Sequence, residues 1–374
     1  MNFDLSDEQK MLAEQVSRLL AEQSPPDRLR QLIDTGAQWD EPLWRSLSEF
    51  GVLGAAIPEA FGGLGLSAIE LAVMAQALGR AAVSVPFLSS IGLAAELIRL
   101  AGDDEQKAKW LPGLASGELV GTFAYSEPQG GSWQSVPTMR ASGDKLNGAK
   151  SPVADLLIAD IAVVTVSMDG QLGLAVVDLT DPGVSRESLM SFDPLKPQGR
   201  LVLNEVPFER LGGENASAVI DQVVNQSAVL VAFEQIGGAE ACLYMARDYA
   251  LERSIFGRSL ASYQAIKHKL ADVFVLVELA RSNAFFAAWA AVSSPEELPV
   301  AAAAAHLAAG DALELAARDN LQIHGGIGYT FEADCHFHYR RERLLSLILG
   351  GPAEWRSRLI KALPERQAAR QAAA

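Results

Sequence analysis

The fold is decided first at residues 322–328, where the chain reads QIHGGIG. A glycine-rich stretch can mark a dinucleotide-binding α/β fold, but that motif must follow a strand and open a helix. Here the glycines follow a helical pattern that runs from residue 298 to residue 324. The stretch therefore argues against a Rossmann fold. Two interpretations remain open: Gly325 ends a helix, or its side-chain-free backbone lies close to a ligand.

Helical periodicity continues on both sides of this stretch. Apolar residues recur at helical spacing through residues 219–253, 263–291 and 332–348. Several long helices with apolar faces and no strands between them are typical of a helical bundle. The sequence therefore predicts a C-terminal four-helix bundle over residues 215–374, with residues 364–370 as a frayed tail.

Residues 121–214 have a different character. Four short apolar runs are rich in β-branched residues: 121–125, 158–166, 173–179 and 201–208. Three turn signals lie among them: SGD at 142–144, NG at 147–148 and DPG at 181–183. Short strands with tight turns predict a small β-barrel-like domain here.

Residues 1–120 carry helical patterns. Ser6 and Gln9 are spaced as a capping box before the first amphipathic segment, and a glycine-rich turn at residues 58–65 separates later helices. The sequence as a whole predicts a mainly α fold with a central β domain. Its expected parts are an N-terminal helical domain (1–120), a middle β domain (121–214) and the bundle (215–374).

The charge and cysteine content exclude several classes of protein. The chain has 31 basic and 46 acidic residues, a formal charge of -15, which opposes sequence-independent binding to nucleic acid or anionic lipid. Cys242 and Cys335 are too few for a disulfide framework and lack zinc-site spacing. We expect two buried, reduced thiols.

A cytoplasmic location is expected from the acidic residues 1–7, which lack the basic start and apolar core of a secretory signal. The most apolar stretches, residues 284–292 and 300–309, are much shorter than the ~20 residues of a membrane span. We therefore expect buried helices and no membrane span.

Arg253 lies at the end of a predicted helix and is followed by a glycine-containing turn and by Gln264. An arginine in such a place is most often a solvated surface charge. Alternatively, its guanidinium binds a pyrophosphate through two parallel hydrogen bonds, with Gln264 placed to bind an adenine or ribitol edge.

Several motifs, taken in order, resemble those of the acyl-CoA dehydrogenase family. They are FGGLG at 61–65, WLPGLASGE at 110–118, AYSEP at 124–128, LNG at 146–148, RSIFG at 253–257 with Gln264, and QIHGGIG at 322–328. Together they extend over nearly the whole chain, and several motifs in one order are far more specific than any one alone. The family's architecture is also helices, β domain, helices.

The resemblance implies an FAD-dependent oxidoreductase that converts an acyl-CoA thioester to the 2-enoyl-CoA. A carboxylate removes the α proton while the β hydride passes to the flavin, and the thioester carbonyl must be polarised because the α proton is otherwise too weakly acidic. The implied partners are an acyl-CoA substrate, electron-transfer flavoprotein as acceptor, and related subunits in a homo- or heterotetramer that share each FAD.

The resemblance also implies roles for individual residues. The residues that would bind the dinucleotide part of FAD are Arg253, Phe256, Tyr263, Gln264, Gln322, Ile323, His324, Gly325 and Gly326. The residues that would line the flavin ring are Phe123, Tyr125 and Ser126, and Ser132 would contact the substrate. For Ser126, the alternative is a strand-end residue bonded to its own turn.

The chain departs from the family at the catalytic base. The family's commonest base lies 27 residues beyond Gln322, at Leu349, and an alternative base lies 26 residues before Arg253, at Ser227. Glu234 is a weak candidate on roughly the same helix face as Ser227, but two turns put it about 10 Å away. We favour a structural, partnered role for Glu234, because buried charges are generally paired.

The ring side also departs from the family. Trp133 stands where the family usually has Asp, and Pro152 and Ala154 stand where an aromatic residue and a hydroxyl are usual. The histidines His324, His336 and His338 have no matching acid cluster and are expected to be structural. The sequence therefore predicts an acyl-CoA dehydrogenase subunit. The alternatives are a base-lacking partner in a heteromeric enzyme, a homo-oligomeric enzyme with a displaced base, and a non-catalytic paralogue.

Overall fold

The computed structural model describes residues 5–213 and 215–373. The chain forms two compact units. Within the described residues, one, the helical unit, consists of residues 5–28, 68–83 and 228–373, and the other, the sheet unit, consists of residues 29–67, 84–213 and 215–227. Residues 1–4, which belong to the segment used to predict location, lie outside the described residues, as do residues 214 and 374.

The first part of the chain is helical, as predicted. Its helices are α1 (Asp7–Gln23), α2 (Pro26–Thr35), α3 (Glu41–Glu49), α4 (Ala68–Arg80), α5 (Glu96–Ala101) and α6 (Asp104–Ala115). A 3-10 helix at Glu59–Phe61 and a fully buried π-helix at Phe87–Ala95 complete this part. The capping box is confirmed, because Ser6 Oγ accepts the Gln9 N–H at 3.2 Å and the Gln9 side chain accepts the Ser6 N–H at 2.9 Å.

The middle part forms one mixed sheet within the described residues. Its strands are β1 (Gly121–Ala124), β2 (Arg140–Ser142), β3 (Lys145–Ala154), β4 (Ile161–Met168), β5 (Gln171–Asp178), β6 (Val184–Leu189), β7 (Gln198–Pro207) and β8 (Glu209–Leu211). The strand order is β6-β7-β3-β2-β4-β5-β8, and β1 pairs in parallel with β4. The predicted turns at 142–144 and 181–183 join β2 to β3 and β5 to β6.

The prediction of a turn at Asn147-Gly148 was wrong. Both residues lie inside β3, where the register to β7 shifts between Leu146 and Gly148. Gly148 has a φ of +144°, and a Cβ there would lie 2.8 Å from the Met139 backbone. The glycine therefore permits a β-bulge with close backbone approach, which gives the same sequence signal as a turn.

The last part is a set of long helices interrupted by one hairpin. The helices are α7 (Ala216–Glu252), α8 (Gln264–Ser293), α9 (Leu298–His324), α10 (Cys335–Leu345) and α11 (Pro352–Ala373), and the hairpin is β9 (Ser254–Ile255) with β10 (Arg258–Ser259). The predicted frayed tail at 364–370 was wrong, because α11 continues through these residues. Arg366 Nε donates to Glu297 Oε2 at 2.5 Å, which ties the helix to the unit.

Three of these helical segments are longer than the apolar stretches considered in the sequence. By length and composition, residues 216–252, 264–293 and 295–329 are each able to cross a membrane. In each segment we consider the most apolar stretch of 18 residues. The protein buries 67%, 39% and 61% of these three stretches, respectively. Segments long enough to cross a bilayer are therefore present, and the absence of a membrane span stays a prediction.

Cys242 and Cys335 are free and buried, as predicted. Burial raises the pKa of both thiols. Raised pKa values keep both groups in the unreactive thiol form at neutral pH.

Candidate functional site

A hairpin at the end of α7 carries the first group of candidate cofactor residues. Phe256 and Gly257 form its two-residue turn, with φ values of 50° and 77°. Two successive left-handed residues match the twist of a tight hairpin, and glycine adopts this conformation without strain. The turn leaves the Phe256 ring 95% exposed. Arg253, immediately before the hairpin, is also exposed.

A small hydrophobic cluster joins this hairpin to the end of α9. Its buried members are Ala246, Ala250, Leu260 and Ile323, and Tyr249, Ile255 and Tyr263 pack against it. The Leu260 N–H donates to Arg253 O at 2.7 Å, which closes the base of the hairpin. The structure therefore brings the segments 253–264 and 322–326 together, although they are far apart in the sequence.

The glycine turn after α9 is open to the surroundings. Gly325 caps α9 with a φ of +66°, which confirms the predicted glycine cap. A Cβ built on Gly325 or Gly326 would meet nothing within 4 Å. Both interpretations of this stretch are therefore compatible, because the glycine that ends the helix also leaves its backbone accessible.

His324 is fixed beside this turn. Its ring stacks on Tyr249 with the centroids 4.2 Å apart, and its Nδ1 lies 2.9 Å from Asn320 O. A carbonyl only accepts hydrogen bonds, so Nδ1 carries the proton of this contact. On the hairpin side, the Arg258 guanidinium lies 3.8 Å from the Tyr263 ring centroid, and the Tyr263 hydroxyl donates to Ile255 O.

The second group of candidates lies at the end of β1 in the sheet unit. Phe123 is buried, and its ring centroid lies 5.3 Å from that of the half-buried Tyr125. The backbone of Ser126 is fixed, because Ser126 O accepts the Ser151 N–H at 2.8 Å. Among the described residues none bonds to the Ser126 hydroxyl, so the alternative of a bond to its own turn is not observed.

A buried ion pair supports this strand end. Lys150 is fully buried, and its Nζ donates to Glu127 Oε1 at 3.0 Å, to Thr165 Oγ1 at 2.8 Å and to Tyr125 O at 3.3 Å. Burial lowers the pKa of Lys150. Burial alone would raise the pKa of Glu127, but hydrogen bonds from Thr138, Met139 and Lys150 outweigh it and lower the pKa to about 2.

Glu127 and Lys150 were missed as site residues in the sequence. Glu127 accepts the backbone N–H groups of Thr138 and Met139, so it closes the loop that carries Ser132. One signal was available: Leu146 and Lys150 are four residues apart on a strand and share its buried face. A lysine on an inward face requires a buried partner.

The loop that carries Ser132 is anchored to the start of α7. Trp133 is 2% exposed, its ring lies edge-on to Tyr125 at 5.7 Å, and its Nε1 donates to Asp221 Oδ1 at 3.3 Å. Gln134 Nε2 also donates to Asp221, at 2.9 Å. Ser132 Oγ accepts the Gln134 N–H at 3.4 Å, so Ser132 is held in the same turn.

Neither expected base position carries a carboxylate, and both are packed. Leu349 is fully buried, and its carbonyl accepts the Trp355 indole N–H at 2.9 Å. The centroid of the Trp355 ring lies 4.8 Å from that of the buried His306. Burial lowers the pKa of His306 to about 4. Ser227 is buried and donates to Gly92 O at 2.8 Å.

Glu234 is a partnered acid in the helical unit. Arg341 Nη1 lies 3.1 Å from Glu234 Oε1, and the Arg341 guanidinium also donates to Ala82 O and Val83 O at 3.0 Å. This arrangement satisfies both charges internally, which supports the structural interpretation. Within the described ranges, no group of three His, Cys, Asp or Glu side chains is placed to hold a metal ion.

The two groups of candidates fit the two ends of an FAD molecule unequally. The helical unit offers an exposed arginine, an exposed aromatic ring and open glycine backbone, which suit a pyrophosphate and its nucleoside. In the sheet unit the exposed Pro152 and the half-buried Ala154 supply neither a ring nor a hydroxyl, and Trp133 packs against Tyr125. The residues at the dinucleotide end therefore fit better than those at the ring end.

Comparison with known proteins gives a consistent family. Residues 6–118 match the model of the acyl-CoA dehydrogenase N-terminal domain, and residues 217–362 match that of the acyl-CoA dehydrogenase C-terminal domain. The chain is 33% identical over 354 residues to the acyl-CoA dehydrogenase IpdE2 of Mycobacterium tuberculosis, covering 94% of this chain and 96% of that one.

Two solved structures are similar over almost the whole chain. One is a variant of the Tcur3481-Tcur3483 steroid ACAD, with a TM-score of 0.88 and 30% identity over 97% of this chain and 99% of that chain. The other is the ChsE4-ChsE5 complex from Mycobacterium tuberculosis, with a TM-score of 0.89 and 27% identity over 98% and 99% of the two chains. The similarity thus extends through both units.

Proposed function

Because the chain belongs to the acyl-CoA dehydrogenase family, we propose that it is the base-lacking partner of a related subunit in a mixed oligomer. Members of this family are FAD-dependent oxidoreductases that act on CH–CH bonds. The observation that carries the proposal is the packing of Leu349 and Ser227, which fills both base positions with side chains that cannot accept a proton from carbon.

The proposed contribution of this chain is to hold the dinucleotide end of an FAD whose ring lies in the partner. Arg253 would bind the pyrophosphate, the open backbone at Gly325 and Gly326 would approach it closely, and Phe256 and Gln264 would contact the nucleoside. Bound FAD supplies the acceptor for the substrate hydride. The base that removes the α proton would come from the related subunit.

The proposed substrate is an acyl-CoA with a bulky, non-linear acyl group. The support comes from the similar steroid ACAD structure and from the two-chain ChsE4-ChsE5 complex, whose names describe a steroid enzyme and a mixed assembly. Electron-transfer flavoprotein is the proposed acceptor.

We further propose that the chain works in the cytoplasm without crossing a membrane. The three long apolar segments carry ion pairs between helices, which would be costly in lipid. Lys269 Nζ on α8 donates to Asp319 Oδ1 on α9 at 2.7 Å. Arg281 on α8 also binds Glu240 on α7. Burial would raise the pKa of Glu240, but the positive charges of Arg281 and Arg80 lower it.

The proposal is tested by the flavin content of the chain alone and in complex with a related, base-bearing chain from the same organism. We expect little flavin and no turnover from the lone chain, and one FAD per two chains with ferrocenium-dependent oxidation of an acyl-CoA from the complex. One FAD per chain with turnover by the lone protein would contradict the mixed-oligomer proposal. If neither preparation holds flavin, the cofactor assignment fails.

An arginine variant tests the assigned face directly. In the complex, Arg253→Ala should weaken FAD binding roughly 10- to 100-fold, because it removes charge-assisted hydrogen bonds to the pyrophosphate. Arg247→Ala is the matched control, since Arg247 is an exposed arginine on α7 that pairs with Asp248. Equal flavin loss in the two variants would show that Arg253 has no specific role.

A further inference from the structure

Trp133 is the largest side chain in the loop that carries Ser132, and it is directed inward. It is 2% exposed, although its neighbours Ser132 and Gln134 are half-buried and exposed. Burying an indole removes on the order of 200 Å² of apolar surface from water, which stabilises the ring in this position. The ring is not a surface group that moves aside at little cost.

The indole fills the space between the loop and the end of β1. Its ring meets that of Tyr125 at an interplanar angle of 90° with 5.7 Å between centroids, and Tyr125 in turn contacts Phe123. The Nε1 bond to Asp221 fixes the ring from the α7 side. Three aromatic rings therefore form a continuous layer from the loop to the strand end.

Two further sets of contacts hold the loop in this arrangement. Glu127 binds the backbone of Thr138 and Met139 at the far end of the loop, and Gln134 binds both carboxylate oxygens of Asp221. The loop is thus closed at its base and at its tip. A ligand that passes between Ser132 and the Tyr125-Ser126 strand end would have to displace Trp133.

We propose that Trp133 closes this chain's own thioester passage, so that acyl-CoA enters only the passage of the related subunit. This inference rests on the proposed function, which places the reacting group between the Ser132 loop and the strand end. It assigns the loss of the passage to one side chain, the indole of Trp133. A mixed oligomer then has one productive thioester site for each pair of chains.

Acetyl-CoA is a suitable probe, because it is a CoA thioester without a β carbon and cannot be dehydrogenated. Calorimetric titration would measure its affinity and stoichiometry with the lone chain and with the complex. For the wild-type protein we expect no saturable binding to the lone chain below ~1 mM, and one acetyl-CoA per pair in the complex.

Trp133→Ala should open the passage, and Trp133→Phe is the matched control. Phenylalanine loses the bond to Asp221 but keeps an aromatic ring against Tyr125, and because this ring still fills the space we expect the variant to stay closed. We expect Trp133→Ala to bind acetyl-CoA at least 10-fold more tightly than the wild-type protein or Trp133→Phe. In the complex, we expect it to bind two acetyl-CoA molecules per pair of chains. Far-UV circular dichroism would establish that each variant is folded.

Equal affinity of Trp133→Ala and Trp133→Phe would overturn the proposal. If Trp133→Ala does not fold, the stoichiometry of the wild-type complex tests the proposal. One acetyl-CoA molecule per pair of chains would support it, and two molecules per pair would show that the passage is open. This failure is distinguishable from failure of the proposed function, which is measured as flavin and turnover in the lone chain. One FAD per pair together with two thioesters per pair would contradict only the Trp133 assignment.

Discussion

Leu349 is a core residue rather than a vacant catalytic position. Its side chain is fully buried, and its carbonyl is bound to Trp355. We therefore expect Leu349→Glu to destabilise the protein by several kcal/mol, because the new carboxyl would be buried without a partner. It should not create a dehydrogenase. Thermal unfolding and the ferrocenium assay would measure both effects.

Leu349→Met is the control for this prediction, since methionine conserves volume and polarity and should change stability by less than about 1.5 kcal/mol. A stable Leu349→Glu protein that oxidises acyl-CoA would refute the placement of residue 349 in the core. Such a result would also show that only one substitution separates this chain from an active enzyme.

At single positions, the sequence revealed which residue type was present but not where its side chain points. Counting from Gln322 was enough to find that no carboxylate stands at residue 349. The inward direction of Trp133 and its bond to Asp221 depend on a contact 88 residues away in the chain. Spacing carries no information about such a contact, because it is set by packing.

Strand β3 combines a structural and a positioning role. Lys150, fully buried on this strand, links Glu127 to the backbone of Tyr125. Lys150→Met would leave Glu127 buried without its cation, and we expect a loss of roughly 3 kcal/mol in the free energy of unfolding. Equilibrium unfolding in urea would measure the loss.

Two variants control for the change in β3. Lys145→Met, at the start of the same strand, should cost less than about 0.5 kcal/mol, because Lys145 is only half-buried and belongs to no buried pair. Combining Lys150→Met with Glu127→Gln should recover part of the loss, since no uncompensated charge remains. Additive losses in the double variant would mean that the two side chains do not interact.

The secondary structure was predicted well where periodicity is strong and poorly where strands are exposed. The pattern over 298–324 coincides with α9, because an alanine-rich helix buried on most sides keeps an apolar signal along its length. Strand β6 was missed because its residues 185–188 are all exposed and polar. Strand β3 was missed because its register to β7 shifts between Lys150 and Val153, which interrupts its alternation.

The whole molecule contains buried carboxyl groups whose pKa values shift in opposite directions. Glu127 in the sheet unit has its pKa lowered to about 2, so it contributes stability above pH 4.5 that is lost as the pH falls towards 2. Glu342 in the helical unit behaves in the opposite way. Burial, partly offset by Arg343 and reinforced by Glu314, raises its pKa to about 7.

Glu342 should make the stability of the helical unit depend on pH near neutrality. Its side chain is 2% exposed, and Arg343 Nε lies 3.0 Å from its Oε2 as an ion pair without hydrogen-bond geometry. The protonated carboxyl is favoured in the folded protein, so its contribution is complete below pH 4.5 and is lost as the pH rises to 7.

Glu342→Gln therefore should stabilise the protein at pH 8, by up to roughly 3 kcal/mol, and have little effect at pH 4.5. The amide keeps the shape of the protonated carboxyl but cannot ionise. Urea unfolding at the two pH values would measure the difference. Glu118→Gln, which removes one exposed carboxylate, is the control and should show no comparable dependence. An equal effect of Glu342→Gln at both pH values would mean that Glu342 is already ionised in the folded protein at low pH, with Arg343 compensating its burial.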